Sequence, residues 1–505
     1  MATFLENENR KIIPRWREFR VTLALRELLC PSADKEPTDI PTALTNRISD
    51  WKAHSTSWFA ADLVGAAIVI GRPDVALDAA ELILAKSSGF PSASVAAARK
   101  ILRRDEPDFS VPELRALNES TIDKRIHNLR LRLNDEPRNS IAWVDIAREY
   151  TLLGLSEQAT RAIRIAVALD PVNRFVLRSA ARFFVHFGDA MRAHRLIRTA
   201  PSTPYDPWLT AAEIALGSLA GGGPRFAKSG QRMIQSEGHS PSQTSELSSA
   251  LGTIELENGK NRMAKKLFFQ SLRRPTENAV AQAVWASKEL STFTLNVGDY
   301  DAPRTYEAKA WEYFADGKWS EALQESTNWL LDEPFAIKPA ALGSYIAATA
   351  LEDYRKAEVI VKAGLLANPL EPILRNNLAF ILASQSKTTE AEKYIACNRQ
   401  ENLSLDNQIN FLATRGLILF RKGDTNEGRR LYREAMEKAY QGSLHKHWGR
   451  AVLYLAREEM LANTPFALST LKEALDATSK ISDPDFQVLR ERLRQLGSRP
   501  IADLR

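Results

Sequence analysis

The sequence predicts an all-α fold built from stacked helical hairpins. Three observations predict it. Apolar residues recur at helical spacing along almost the whole chain, small residues recur at fixed offsets inside those helices, and Gly or Pro punctuates them at regular intervals. With 505 residues, 44% hydrophobic and 26% charged, the chain suits a folded protein rather than a disordered one. That length allows two or three domains or one elongated array, and the periodicity favours the array.

From the N-terminus, residues 1–55 read as a helix around Trp16 to Leu29 followed by an exposed linker, PSADKEPTDIPT. Residues 56–139 read as degenerate helical repeats. WFAADLVGAAIVIGRPDVALDAAELILA makes the first hairpin, with Gly71 as the cap and Ala76 as the small contact, and SASVAAARKILRR and TIDKRIHNLRLRL supply further helices.

The clearest unit spans residues 140–171 and includes AREYTLLGLSEQATRAIRIAVALDP. Ile141, Val144, Ile146, Tyr150 and Leu152 mark a first helix, and Ala159, Ala162, Ile163, Ala166 and Leu169 a second. Between them Gly154 fits a C-terminal cap and Ser156 an N-cap, with Glu157 in the next first turn. Pro171 stops the second helix because its ring cannot continue one.

Counted from Ser140, Trp143, Ala147, Tyr150, Gly154, Ala159, Ala166 and Pro171 fall at positions 4, 8, 11, 15, 20, 27 and 32. Counted from Arg174, Ala181, Phe184, Gly188, Ala193 and Ala200 fall at 8, 11, 15, 20 and 27. From Ser245 the set is Gly252, Gly259, Ala264 and Phe268; from Pro303 it is Ala310, Tyr313, Gly317, Ala322 and Pro334. Weaker units carry Ala357, then Ala379 with Ala391, then Gly416, Gly423, Tyr432 and Ala435, and last Ala467, Leu471 and Ala474. Only Ala, Gly or Ser at the helix crossing lets two backbones approach closely.

This pattern resembles the tetratricopeptide repeat, a helix-turn-helix unit of about 34 residues. The resemblance covers most of the chain between residues 56 and 479 and implies a right-handed α-solenoid. It divides into subarrays at 140–290 and 303–479, separated by a loop or joint at 291–302 (in STFTLNVGDYDAP), and closes with a capping helix and tail at 480–505.

Chemistry of its own is not expected. Cys30 and Cys397 are too far apart in sequence for a Cys-x-x-Cys site, and no catalytic signature is present. GGPRFAKS, residues 222–229, approaches a phosphate-binding loop, but Ala227 replaces its last glycine and a helix rather than a strand precedes it. His186 and His194, and His445 and His447, read as ordinary histidines. No catalytic residue, metal or cofactor is therefore expected. The polar start of the chain and the shortness of its longest apolar run, residues 58–71, lead to an expectation of a cytoplasmic protein.

The resemblance implies an inner groove lined by the first helix of each unit, with positions 2, 5, 9 and 12 facing it. The candidates for partner binding are Arg148, Phe175, Arg178, Arg182, Trp311, Phe314 and Asn376. Arginines beside aromatics suit a peptide bearing acidic groups. Asn376 and Asn377 lack the basic neighbours of the clamp that some repeats of this type use on chaperone tails. The expected function is a non-catalytic adaptor, scaffold or regulatory subunit that captures a segment of another protein within a multi-protein assembly, such as a bacterial regulatory or defence complex. The competing expectation is a nucleic-acid-associated factor whose basic helices in residues 99–182 follow the phosphate backbone. The net charge of +6 permits that without demanding it.

Overall fold

A computed structural model of the chain describes residues 10–17, 42–70, 72–86, 92–102, 114, 117–236, 238–300, 302–396 and 403–498. Cys30, Gly71, Arg103, Arg104 and Cys397, with almost all of the expected linker, lie outside them. The chain divides into two compact units, Phe19–Ser110 on the one hand and Met1–Glu18 with Val111–Arg505 on the other.

The described part of the smaller unit is four helices: α1 (Thr42–Ala53), α2 (Ser57–Ile70), α3 (Leu77–Ala85) and α4 (Ser92–Ile101). A 3-10 turn at Pro73–Ala76 leads into α3. Leu63, Val64, Ala76, Ala80 and Ile83 form its core, and the Ala76 contact read from the sequence is buried there.

The larger unit opens with α5 (Glu119–Asp135) and continues as helix pairs. These are α6 (Ser140–Leu152) with α7 (Ser156–Leu169), α8 (Arg174–His186) with α9 (Ala190–Thr199), α10 (Pro207–Leu219) with α11 (Ala227–Gln235), and α12 (Pro241–Glu257) with α13 (Asn261–Ser271). After an unpaired α14 (Glu277–Glu289) come α15 (Tyr306–Ala315) with α16 (Trp319–Asp332), α17 (Ile337–Tyr345) with α18 (Tyr354–Ala367), and α19 (Pro372–Ser384) with α20 (Thr388–Ala396). The last are α21 (Leu405–Lys422) with α22 (Thr425–Gln441), α23 (His445–Leu461) with α24 (Ala467–Ala477), and α25 (Pro484–Ser498). A π turn, Ile346–Ala350, extends α17. This is an all-helical, repeat-like stack that resembles helical-solenoid folds.

The local causes are those the spacing implied. Gly154, with φ of +67°, makes the α6–α7 turn that an L-side chain rarely adopts. Ala147 and Ala159 are fully buried where α6 and α7 pack. Gly252 lets Phe268 approach to 3.3 Å from where a Cβ would stand. Asn139, Asn173, Asp189 and Asp206 accept hydrogen bonds from the first free backbone N–H groups of the following helices. Ser156 differs from expectation: it is the first helical residue of α7, after Leu155 at the cap, and makes no side-chain cap.

The stretch at 291–302 stands where a second helix for α14 belongs. Its described residues hold a single 3-10 turn, Val297–Asp299, with Phe293 stacked on Phe268 at 5.9 Å and the Val297 N–H donating to Glu312 at 2.7 Å. One hydrophobic cluster runs from Phe268 through Phe293, Val297 and Phe314 to Tyr432. Within this unit the array also curls back on itself. Phe335, after α16, and Ala367, at the end of α18, belong to the same core cluster as Ile146 and Phe183. At the C-terminus Phe486, Leu489 and Leu493 of α25 pack with Val452 and Leu453 of α23.

Candidate functional site

The site begins with residues 10–17, RKIIPRWR, which lie against the first helices α8, α10, α12, α14 and α15. The expected helix around Trp16 does not include this stretch. Residues 10–17 form no helix, and residues 18–29 lie outside the described part. Pro14 lacks a backbone N–H and disfavours a helical conformation at Ile13. Burial alternates instead with the period of an extended chain: Ile12, Pro14 and Trp16 are buried while Lys11, Ile13, Arg15 and Arg17 are intermediate.

The apolar members fill slots between helices. Ile12 joins Ala211 and Ile214 of α10 and Ala250 of α12. The Trp16 ring is fully buried, edge-on to Phe183 at 5.9 Å and tilted against Phe335 at 5.2 Å. Two amides hold the segment's backbone: Asn278 Nδ2 donates to the Ile13 carbonyl at 2.9 Å, and Gln282 Nε2 to the Arg10 carbonyl at 2.8 Å.

The basic members meet carboxylates. Arg10 donates through two nitrogens to Glu307, both at 3.0 Å, and also to Gln282 and Asn278. Arg15 bridges Glu307 and Glu333, Lys11 pairs with Glu257, and Arg17 reaches Glu277 at 2.5 Å and Asp332 at 2.6 Å. Burial alone would raise the Glu307 carboxyl, yet Arg10 and Arg15 hold it well below the usual carboxylate range. Glu333 and Glu277 likewise end low against their burial, chiefly through Arg15 and Arg17 respectively. Asp332 goes the other way, because burial outweighs the attraction of Arg17 and Glu333 adds repulsion. The groove is thus acidic and filled by a basic stretch of its own chain.

The sequence points to an arginine-lined groove. Arg178 and Arg182 do face this region, but their charges are matched from within. Arg178 donates to Glu246 at 2.8 Å and to the Trp208 carbonyl at 3.0 Å, lying over the Trp208 ring. Arg182 stands 3.8 Å from Glu333 and over the Phe335 ring at 4.9 Å. Arg148 is buried beside Glu149, which also takes Arg125. Phe175 packs half-buried against the α5–α8 core. Phe314 and Trp311 are buried in the core around α15, T-shaped to each other with ring centroids 5.9 Å apart, with the Lys288 ammonium over the Trp311 ring.

Asn376 stands elsewhere on the first-helix face, in a pocket formed by α17, α19, α21 and α23. Asn377, Phe380, Thr414, His447 and Tyr454 also line it. Asn376 is 1% exposed, and among the described residues neither its Nδ2 nor its Oδ1 has a hydrogen-bond partner. Burial, with a contribution from Arg450, lowers the His447 pKa to about 3, so its ring is neutral at pH 7.

The phosphate-loop lookalike is used internally. The backbone N–H groups of Arg225 and Phe226 donate to the Glu213 carboxylate at 2.9 and 3.2 Å, and His194 contacts the same carboxylate at 3.0 Å. An anion already occupies the donors that a phosphate would need. His186 packs edge-on to Phe335 and does not join His194. Among the described residues no group of three or more His, Cys, Asp or Glu is arranged to hold a metal ion. Among them, too, no helix is long and apolar enough to cross a membrane.

No protein-family model matches the chain. No curated protein matches it either. Among solved structures, a human IFIT1 dimer with PPP-AAAA is 14% identical, covering 77% of this chain and 100% of that one, with a TM-score of 0.34. Yeast Tom70 is 12% identical over 87% of this chain and 95% of its own, with a TM-score of 0.29. The Naa15/Naa10 complex bound to HypK-THB matches at 12% identity over 89% and 95%, with a TM-score of 0.26. Likenesses of this order assign no function.

Proposed function

We propose that the chain is a non-catalytic adaptor, scaffold or regulatory subunit that holds an extended segment of a partner protein along the face formed by its first helices. Stacked helical repeats offer long surfaces of the kind often used to bind other proteins. The observation that carries the reading is the seat of residues 10–17. The face binds an extended stretch through side-chain slots, carboxylates and two amides that hold backbone carbonyls and the Arg10 guanidinium. A surface that recognises one extended stretch has the chemistry to recognise another. The nucleic-acid reading is weaker, because Arg125, Arg148, Arg178 and Arg182 in the basic helices are committed to Glu149, Glu246 and Glu333.

The test is site-specific photo-crosslinking in the native cell, followed by nuclease treatment and mass spectrometry. A photoreactive residue at Asn410, which lines the pocket beside Asn376, is expected to capture a protein that one at Arg433, exposed on the second helix α22, does not. Equal capture from both positions, or recovery of nucleic acid alone, would overturn the reading.

A further inference from the structure

We propose that the segment selected by the acidic part of this face is basic, extended and anchored by one aromatic ring, and that residues 10–17 are its built-in competitor. This rests on the reading of the first-helix face as a protein-binding surface and specifies what it selects and how it is held in check.

Charge decides the first point. Glu257, Glu277, Glu307, Asp332 and Glu333 receive Arg10, Lys11, Arg15 and Arg17. With the segment gone, Arg182 still stands near Glu333 and Arg304 near Asp332 at 3.6 Å, but four cations have left an acidic cluster of which Glu307 and Glu333 are buried, Glu277 and Asp332 half-buried and Glu257 exposed. Such a cluster takes up protons or a cationic ligand, and it repels an acidic one. The ligand proposed for this part of the groove is thus opposite in charge to the acidic peptide that Arg148, Arg178 and Arg182 suggest from the sequence.

The ring slot and the backbone contacts decide the second. The Phe183–Phe335 slot encloses one aromatic side chain. Asn278 and Gln282 donate to backbone carbonyls, which any extended chain in the same register offers, while their side-chain oxygens accept from Arg10 and so favour a basic residue at that position. Among the described residues Trp16 Nε1 and Arg15 Nε are buried without an acceptor, so the internal segment leaves two donors unmatched there. Its polar contacts with the repeats all span at least 246 residues of sequence, and the helices it touches in α12, α15 and α16 have hairpin partners of their own. Tethering gives it a high effective concentration, so an external segment binds weakly until the internal one is released.

The experiment titrates a fluorescein-labelled peptide of residues 9–18, NRKIIPRWRE, onto the full-length chain and follows anisotropy. The Arg15→Ala/Trp16→Ala chain is expected to bind it at least tenfold more tightly than the unaltered chain. A peptide carrying Glu in place of Lys and the three Arg is expected not to bind. Should the double variant lose its cooperative melting, Arg10→Ala is expected to give a gain of about threefold, because it loosens one end of the segment only. A cooperatively melting variant that binds no better than the unaltered chain, or equal binding of the glutamate peptide, overturns the proposal. Peptide binding with no cellular partner captured would uphold the selectivity and sink the adaptor role alone, so the two failures are distinct.

Discussion

Trp16 stands against Phe335 with ring centroids 5.2 Å apart, and the pair ties the N-terminal segment to the turn that follows α16. Phe335 is itself fully buried and carries Arg182 over its ring, so one aromatic joins the segment, α8 and the α16–α17 connection.

Trp16→Ala is therefore expected to destabilise the larger unit by about 3–5 kcal/mol, through lost burial and the cavity left between two rings. The measurement is the urea midpoint of the full-length chain. A change below about 1 kcal/mol would show that the slot collapses or that the ring is not seated there.

Glu333→Gln should cost about 3 kcal/mol, because it leaves the buried Arg15 short of one of its two carboxylates and removes the anion beside Arg182. Glu427→Gln breaks the exposed pair with Arg430 on α22 and is expected to leave the melting temperature unchanged. Similar losses from both would contradict the assigned difference in burial.

Acid should weaken the fold from about pH 6.5 downward. Burial lowers the pKa of His186 and His447 from 6.5 to about 3. Between those values the unfolded chain binds protons that the folded chain refuses, so stability falls as pH falls, by up to about 1.4 kcal/mol per pH unit for each histidine. Glu277, Glu307 and Glu333 work in the same direction further down. Their depressed folded pKa values add stability above the usual 4.5 that is lost as they are protonated below it. His186→Phe should flatten part of the slope between pH 6.5 and 4; an unchanged slope would mean that His186 is protonated in the fold.

Gly416→Ala probes the packing logic of the repeats. A Cβ there would lie 2.9 Å from the Gly428 carbonyl oxygen and 2.7 Å from Tyr432, so α21 and α22 must separate. The expected loss is about 1–3 kcal/mol by thermal or urea melting. An unaltered midpoint would show that the two helices cross less closely.

The hairpins were legible because each is fixed by neighbours in sequence. Small residues such as Ala147 and Ala159, and the turn at Gly154, encode a crossing that is complete within one repeat. The groove's occupant was not legible in this way, because Arg10 meets Glu307 and Arg15 meets Glu333 across most of the chain. The local signal was an alternation of Ile12, Pro14 and Trp16 with Lys11, Arg15 and Arg17, interrupted by Ile13, which a reading for helical period passes over. The repeat positions located Arg178 and Arg182 on the inner face, but spacing does not reveal that Glu246 and Glu333 match them. Changing Arg148, Arg178 and Arg182 to Glu is for that reason a test of folding rather than of binding: Arg178→Glu sets two carboxylates against each other beside Trp208.

The central claim is that residues 10–17 lie in the acidic groove, and zero-length carbodiimide crosslinking of the native chain tests it most directly. Lys11 touches Glu257, and Lys446 touches Asp483 at 2.5 Å as an internal reference. The predicted result is a Lys11–Glu257 amide recovered alongside Lys446–Asp483 by mass spectrometry. Recovery of Lys446–Asp483 with Lys11 joined elsewhere, or not joined at all, would contradict the account.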